Sequence, residues 1–204
     1  MRILTKQLLP VVIFFALIAS ACGPKGGQEE GTEADSTAAD TTTVVEKKEE
    51  PIKSPRKQAE GEIGDVSIVV DYGSPAVKER VIWGGLESYD SIWRAGANET
   101  TSFEFSKDVT INDTEVKAGK YGFYLIPKES ADWVAIINTD WNREEHGAFG
   151  AYNYKEEHDV VRVEVAPEWK EDVTERLTYS VIEEGIVLEW EKMKLTIPVS
   201  AVAE

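Results

Sequence analysis

A two-residue alternation of apolar and polar side chains recurs from residue 63 to the end of the chain, and it restricts the fold more than any other feature. In residues 159–166, Val161, Val163 and Val165 share one face while Arg162 and Glu164 take the other. Successive side chains of a strand lie on opposite faces, so this period marks a half-buried strand and is incompatible with a helix, which repeats about every 3.6 residues. The same device appears in residues 66–72 (Ile68, Val70, Tyr72), 101–105 (Phe103, Phe105), 176–182 (Leu177, Tyr179, Val181) and 193–199 (Leu195, Ile197, Val199). Residues 121–126 form a strand stopped by Pro127, residues 186–191 another entered through the Glu184-Gly185 turn, and the apolar run 133–138 reads as a central strand. Asn112-Asp113 turns a hairpin within residues 108–116, because both residue types tolerate the left-handed backbone of a tight turn. The expected fold is all-β: an antiparallel β-sandwich, jelly-roll-like, of about nine or ten strands. No long helix is expected, and residues 167–172 supply at most a helical turn between strands.

The start of the chain is different. Arg2 and Lys6 precede an apolar stretch over residues 8–21, and the small residues Ala19-Ser20-Ala21 stand directly before Cys22, the single cysteine. Residues 1–21 read as a signal peptide too short to span a bilayer comfortably. The arrangement resembles the lipobox of bacterial lipoproteins, with Ala19 where leucine is more usual, and implies lipidation of Cys22. The expected location is the bacterial cell envelope, with the domain anchored through Cys22 to the outer membrane on its periplasmic or surface face. Residues 22–62 have no aromatic side chain and are rich in Gly, Thr, Glu and Lys; such a segment buries too little apolar surface to offset its chain entropy and reads as a disordered tether. The sandwich is assigned to residues 63–204.

The formal net charge is −16, and residues 63–204 hold 14 basic and 28 acidic side chains. An acidic domain of this kind repels phosphate backbones, which excludes nucleic acid and leaves the membrane anchor and a glycan or a small neutral or cationic ligand as expected partners. No cofactor is expected. No metal is expected either: Asp140, Asn142 and Glu144 mimic the opening of a calcium loop, but Glu145 stands where glycine is needed and Ala151 where a bidentate glutamate belongs.

The candidate site lies in residues 72–99, which gather Trp83, Tyr89, Trp93, Arg94, Asn98 and Glu99 among turn-forming glycines. A later aromatic loop adds Trp141 and Tyr154, with Phe149 and Tyr152 nearby. Flat rings stack on the apolar faces of sugars while amides and carboxylates take hydroxyls, which makes these eight residues a candidate ligand-binding set. The alternative is that the tryptophans plug the core and that Arg94, Asn98 and Glu99 latch the loop to the sheet, Arg94 pairing with Glu99. No catalytic residues are assigned: His146, His158, Glu99 and Asp159 show no nucleophile–base spacing, and Ser74 lacks the second glycine of a nucleophile elbow. Molecular function is therefore left open, with non-catalytic ligand or partner binding as the leading expectation. A hydrolase acting on a glycan or small envelope molecule, and a structural assembly module, are the alternatives.

The stretches SPAVKERVIWGGLESYDSIWRAGANETTSFEFSKDV, VKAGKYGFYLIP, AFGAYNY with HDVVRVEV, and LEWEKMKLTIPV resemble, in content and order, the bacterial domain of unknown function family 2911. The resemblance runs over residues 65–199 and departs from the family at His146, where tryptophan is usual. It implies a secreted or lipid-anchored protein and carries no catalytic residues with it.

Overall fold

The computed structural model describes residues 53–202. Its strands are, in chain order, β1 (Arg56–Ile63), β2 (Val66–Gly73), β3 (Thr101–Phe105), β4 (Val109–Ile111), β5 (Thr114–Val116), β6 (Gly119–Ile126), β7 (Trp133–Asn138), β8 (Asp159–Val165), β9 (Glu168–Ile182), β10 (Gly185–Pro198) and β11 (Ser200–Ala201), with a four-residue helix α1 (Arg143–His146). They form a six-stranded sheet of order β1-β2-β3-β6-β7-β8, a long β9–β10 hairpin and a small sheet of order β11-β4-β5, all antiparallel. The expected all-β antiparallel sandwich is the architecture found.

Register decides which side chains meet. Val70 lies opposite Phe103, which lies opposite Tyr121, and Phe123 lies opposite Ile137, which lies opposite Val161. Directly opposed residues share a face, so this row, with Ile68, Phe105 and Leu125, forms the inner face of the main sheet. The β9–β10 hairpin covers it with Leu177, Tyr179, Ile186, Leu188 and Trp190, and the small sheet adds Val109, Ile111 and Val116, all buried in one core. The β4–β5 turn takes φ of 41° at Asn112 and 65° at Asp113, the left-handed pair that the sequence demands.

Three expectations are corrected. First, the domain begins before residue 63, because β1 occupies part of the segment assigned to the tether. Its inward positions are Lys57, Ala59 and Gly61, opposite Tyr72, Val70 and Ile68, and they are small or long-stemmed because β9 crosses close by: a Cβ on Gly61 would sit 2.6 Å from Val181 Cβ. A charged edge strand guards against unwanted pairing but carries no apolar alternation to betray it. Second, residues 168–172 form no helical turn; they are the first part of β9. Third, the two apolar runs 186–191 and 193–199 belong largely to one strand. In β10 the buried set steps Ile186, Leu188, Trp190 and then Met193, Leu195, Ile197. The ladder shifts register on both sides of Glu191, whose φ is 56°. A bulge resets the alternation and bends the strand.

Residues 74–100 connect β2 to β3 as an ordered flap attached to both layers. At its start, Ser74 Oγ donates to Leu177 O (2.8 Å), Val77 N to Glu175 O (2.8 Å) and Leu177 N to Pro75 O (3.0 Å), fixing it to β9. In the middle, Trp93 and Leu125 exchange two backbone hydrogen bonds of 2.8 Å, fixing it to β6. Near its end Ala95 O accepts from Tyr179 Oη at 2.8 Å and from Thr101 Oγ1 at 3.1 Å. Gly73 is required here, since a Cβ on it would lie 2.0 Å from the Ala97 carbonyl oxygen.

The flap carries a tryptophan cluster into the core. Trp83 meets Trp93 (ring centroids 5.5 Å), Trp133 (4.7 Å), Trp169 (6.4 Å) and Trp190 (5.8 Å) edge-on, and Trp93 stacks on Trp190 at 5.8 Å. Such pairs add about 0.5–1.5 kcal/mol each beyond the area they bury. The indole N–H groups of Trp83, Trp93 and Trp190 find no acceptor among the described residues, so ring packing, not hydrogen bonding, holds the cluster.

Candidate functional site

Between β7 and β8 the chain makes a strap, residues 139–158, across the outer face of the main sheet. Ser102, Gly122 and Asn138 lie side by side on that face by register. The strap runs so close that a Cβ on Gly122 would be 2.3 Å from Asp140 O. Tyr124, also outward, is fully buried beneath it and meets Tyr154 edge-on at 5.1 Å.

A polar network pins both ends of the strap. Asn138 Oδ1 accepts from Asp140 N at 2.8 Å, and its amide donates to Lys155 O (2.9 Å) and Asp159 Oδ1 (2.7 Å). Asp140, only 4% exposed, accepts from His158 Nδ1 at 2.8 Å and from Lys155 Nζ at 3.3 Å. Burial pushes its carboxyl up, but hydrogen bonds from His158 and Lys155, with their charges, bring it below the ordinary carboxylate range. Tyr154 Oη donates to Asp159 Oδ2 at 2.6 Å, and Arg162 reaches the same oxygen at 3.0 Å. Burial first, and then this bond to a carboxylate, push the Tyr154 phenol well up. In the middle, Asn142 caps α1 by accepting from Glu145 N at 2.8 Å, and Gly147 ends it at φ 71°. Asp140 and Asn142, two of the three side chains that mimic a calcium loop, thus serve the strap itself.

Between strap and sheet lies a cleft of about 260 Å3, lined by Arg56, Asp71, Glu99, Thr100, Ser102, Trp141, Asn142, Arg143, Ala148 and Phe149. Arg56 organises its floor: Nε donates to Asp71 Oδ1 at 2.7 Å, one Nη donates to Thr100 O at 3.1 Å, and the other lies 3.8 Å from Glu99. Trp141 and Phe149 form the strap side. Lys120 Nζ sits 4.6 Å from the Trp141 ring centre and the Arg143 guanidinium 5.4 Å from that of Phe149. A shallow groove past Lys57 and Gln58 shares Arg56 and Asp71 with this cleft.

Of the eight candidate binding residues, the structure brings two to the cleft, Glu99 and Trp141. Trp93 is 2% exposed and cannot touch a ligand; as a binding residue it is corrected, because its backbone pairing with Leu125 turns the ring into the core. Trp83 is half-buried as the hub of the same cluster. Tyr89 is half-buried against Gly84, whose Cβ would meet its ring at 2.8 Å. Asn98 donates to Ser54 O at 3.3 Å. Arg94 packs under Gly150, whose Cβ would be 2.8 Å from Arg94 Cδ; the expected Arg94–Glu99 pair does not form, since Glu99 faces Arg56 instead. Tyr154 belongs to the network beneath the strap. Sequence reasoning missed Arg56, Asp71, Ser102 and Arg143. A signal existed for Asp71 and Ser102, polar residues at outward positions of their strands.

The model of the family described as Protein of unknown function (DUF2911) matches residues 54–199. The chain belongs to this family. The match includes β1 as well as the flap and the strap. Neither the curated proteins nor the solved structures give a match to the chain. Among the described residues of this DUF2911 protein no group of three or more His, Cys, Asp or Glu side chains could hold a metal ion, and no helix is long and apolar enough to cross a membrane. Residues 1–21, read above as a signal peptide, Cys22, and most of the segment read as a tether lie outside the described residues.

One carboxyl of the DUF2911 flap is displaced in its titration. Burial pushes Glu87 up to about 7, against the opposing pull of Arg94 and Arg80. A carboxyl raised on folding contributes stability that is complete below its unfolded value and lost as pH rises through about 7. Glu87→Gln is therefore expected to be more stable than the parent by about 1–2 kcal/mol at about pH 8 and near parity at about pH 4. Urea midpoints at the two pH values check this; equal midpoint differences at both would refute it.

Proposed function

We propose that this DUF2911 protein is a lipid-anchored envelope protein whose sandwich domain holds a small polyhydroxylated ligand, a glycan unit, in the strap cleft and does no chemistry on it. The observation that carries this reading is the make-up of the cleft, with two aromatic side chains, Trp141 and Phe149, on the strap side and hydroxyl, carboxylate and guanidinium groups on the floor. A ring needs that combination, because its C–H face packs on an aromatic while its hydroxyls need donors and acceptors of both kinds. The volume sits just under the ~300–1,000 Å3 of drug-sized ligand sites, which suits a single sugar ring. Both lining carboxylates, Asp71 and Glu99, face the same Arg56, an arrangement unlike the two carboxyls that flank a scissile bond in a glycoside hydrolase. Anchoring is supported by Cys22 behind Ala19-Ser20-Ala21.

Trp141→Ala is expected to weaken retention on immobilised glycans at least about tenfold, about 1.4 kcal/mol, with little change in unfolding midpoint, since Trp141 lies outside the tryptophan core. Cys22→Ser in the full chain is expected to shift the protein from the membrane to the soluble fraction. Unchanged glycan retention in Trp141→Ala would overturn the cleft as the binding site, and unchanged fractionation of Cys22→Ser would overturn the anchor.

A further inference from the structure

We infer that the ligand of the cleft carries a carboxylate, which seats on Arg143; the inference rests on the glycan-binding reading and narrows it to acidic sugars. Arg56 and Arg143 both line the cleft, and they are in different situations. Arg56 is occupied, with Asp71 at 2.7 Å, Glu99 at 3.8 Å and the Thr100 carbonyl at 3.1 Å. Arg143 has no carboxylate within ion-pairing distance and no hydrogen-bond acceptor for its guanidinium among the described residues, although 28 acidic side chains crowd residues 63–204. Its one close partner is the Phe149 ring, 5.4 Å away. A ring contact of this kind does not occupy the guanidinium N–H donors as a hydrogen-bond acceptor would, and their fork can receive a carboxylate through two parallel hydrogen bonds.

The backbone of Arg143 is fixed. It is the first residue of α1, behind the cap at Asn142, and its carbonyl accepts from Gly147 N at 3.0 Å. With its backbone held and its guanidinium beside the Phe149 ring, the side chain gives up part of its conformational freedom before a ligand arrives. The carboxylates of the cleft do not oppose an incoming anion at that point, because Asp71 and Glu99 are drawn to Arg56 on the floor. A neutral sugar would leave the Arg143 fork unused. A ring bearing a carboxylate sets its C–H face on the aromatic side and its charge on Arg143.

The test follows the Trp141 indole N–H signal in a proton–nitrogen NMR titration of the full chain with glucuronate and, separately, glucose. Glucuronate is expected to bind about tenfold tighter than glucose. The advantage is expected to vanish in Arg143→Gln, to persist in part in Arg143→Lys, and to shrink with added salt, with glucuronate affinity falling further than glucose affinity in both variants. Arg143 is exposed, so neither substitution threatens the fold. Equal affinity for the two sugars in the parent protein, or an advantage that survives Arg143→Gln, overturns the carboxylate assignment and leaves the glycan reading standing. No response to either sugar overturns both.

Discussion

Trp93→Ala lowers the unfolding free energy by about 3–5 kcal/mol, seen as a fall in the urea midpoint with the slope unchanged. The ring is 2% exposed and lies between Trp190, stacked at 5.8 Å, and Trp83, edge-on at 5.5 Å. Its removal leaves a void that neither neighbour can fill, because Trp190 is held between Glu189 and Glu191, which both pair with β9, and Trp83 by its own contacts with Trp133 and Trp169. The flap loosens with it, since the two backbone bonds between Trp93 and Leu125 are its central attachment to β6. The contrast with Trp141→Ala is the useful measurement: one tryptophan substitution lowers stability and the other weakens binding. A loss below about 1 kcal/mol in Trp93→Ala would mean that the cluster is not the core of the domain.

The strands were legible because burial on one face imposes a period of two, and that period survives in Ile68-Val70-Tyr72 and Val161-Val163-Val165 whatever the partners are. Strand β1 was not, because its inner positions are Lys57, Ala59 and Gly61, a charged residue and two small ones, and β9 passes too close to Gly61 for a larger side chain. The bulge in β10 was visible only as a gap between two runs; nothing local says whether Trp190 and Met193 belong to one bent strand or to two. The direction of the flap tryptophans was hidden for a similar reason. It is set by a pairing between Trp93 and Leu125, distant in sequence, and a turn-rich stretch has no periodicity from which to read an inward face. The cleft was half legible: aromatic and acidic residues at Trp141 and Glu99 carried the right chemistry, but Arg56 and Arg143 join them only once the strap is known to lie across the sheet.

That placement of the strap depends on Gly122, and Gly122→Ala is expected to detach it. A Cβ there would lie 2.3 Å from the carbonyl oxygen of Asp140 and 3.1 Å from the Tyr124 ring. The first contact is with backbone, so no rotamer change relieves it; either β6 distorts or the strap lifts. Lifting moves Asp140 away from Asn138, His158 and Lys155 together, since the three contacts converge on one residue, and exposes the buried carboxylate that they satisfy. We expect a loss of about 2–3 kcal/mol in stability and faster hydrogen exchange in residues 139–158 than in β2 or β3, because the strap opens before the sheet does. Glycan retention should fall with it, although Gly122 is not among the residues that line the cleft, because Trp141, Asn142 and Arg143 follow Asp140 directly in the chain. If Gly122→Ala keeps parental exchange in the strap and parental retention, the close approach of Asp140 to the sheet is not what shapes the cleft, and the floor centred on Arg56 would have to define the site alone.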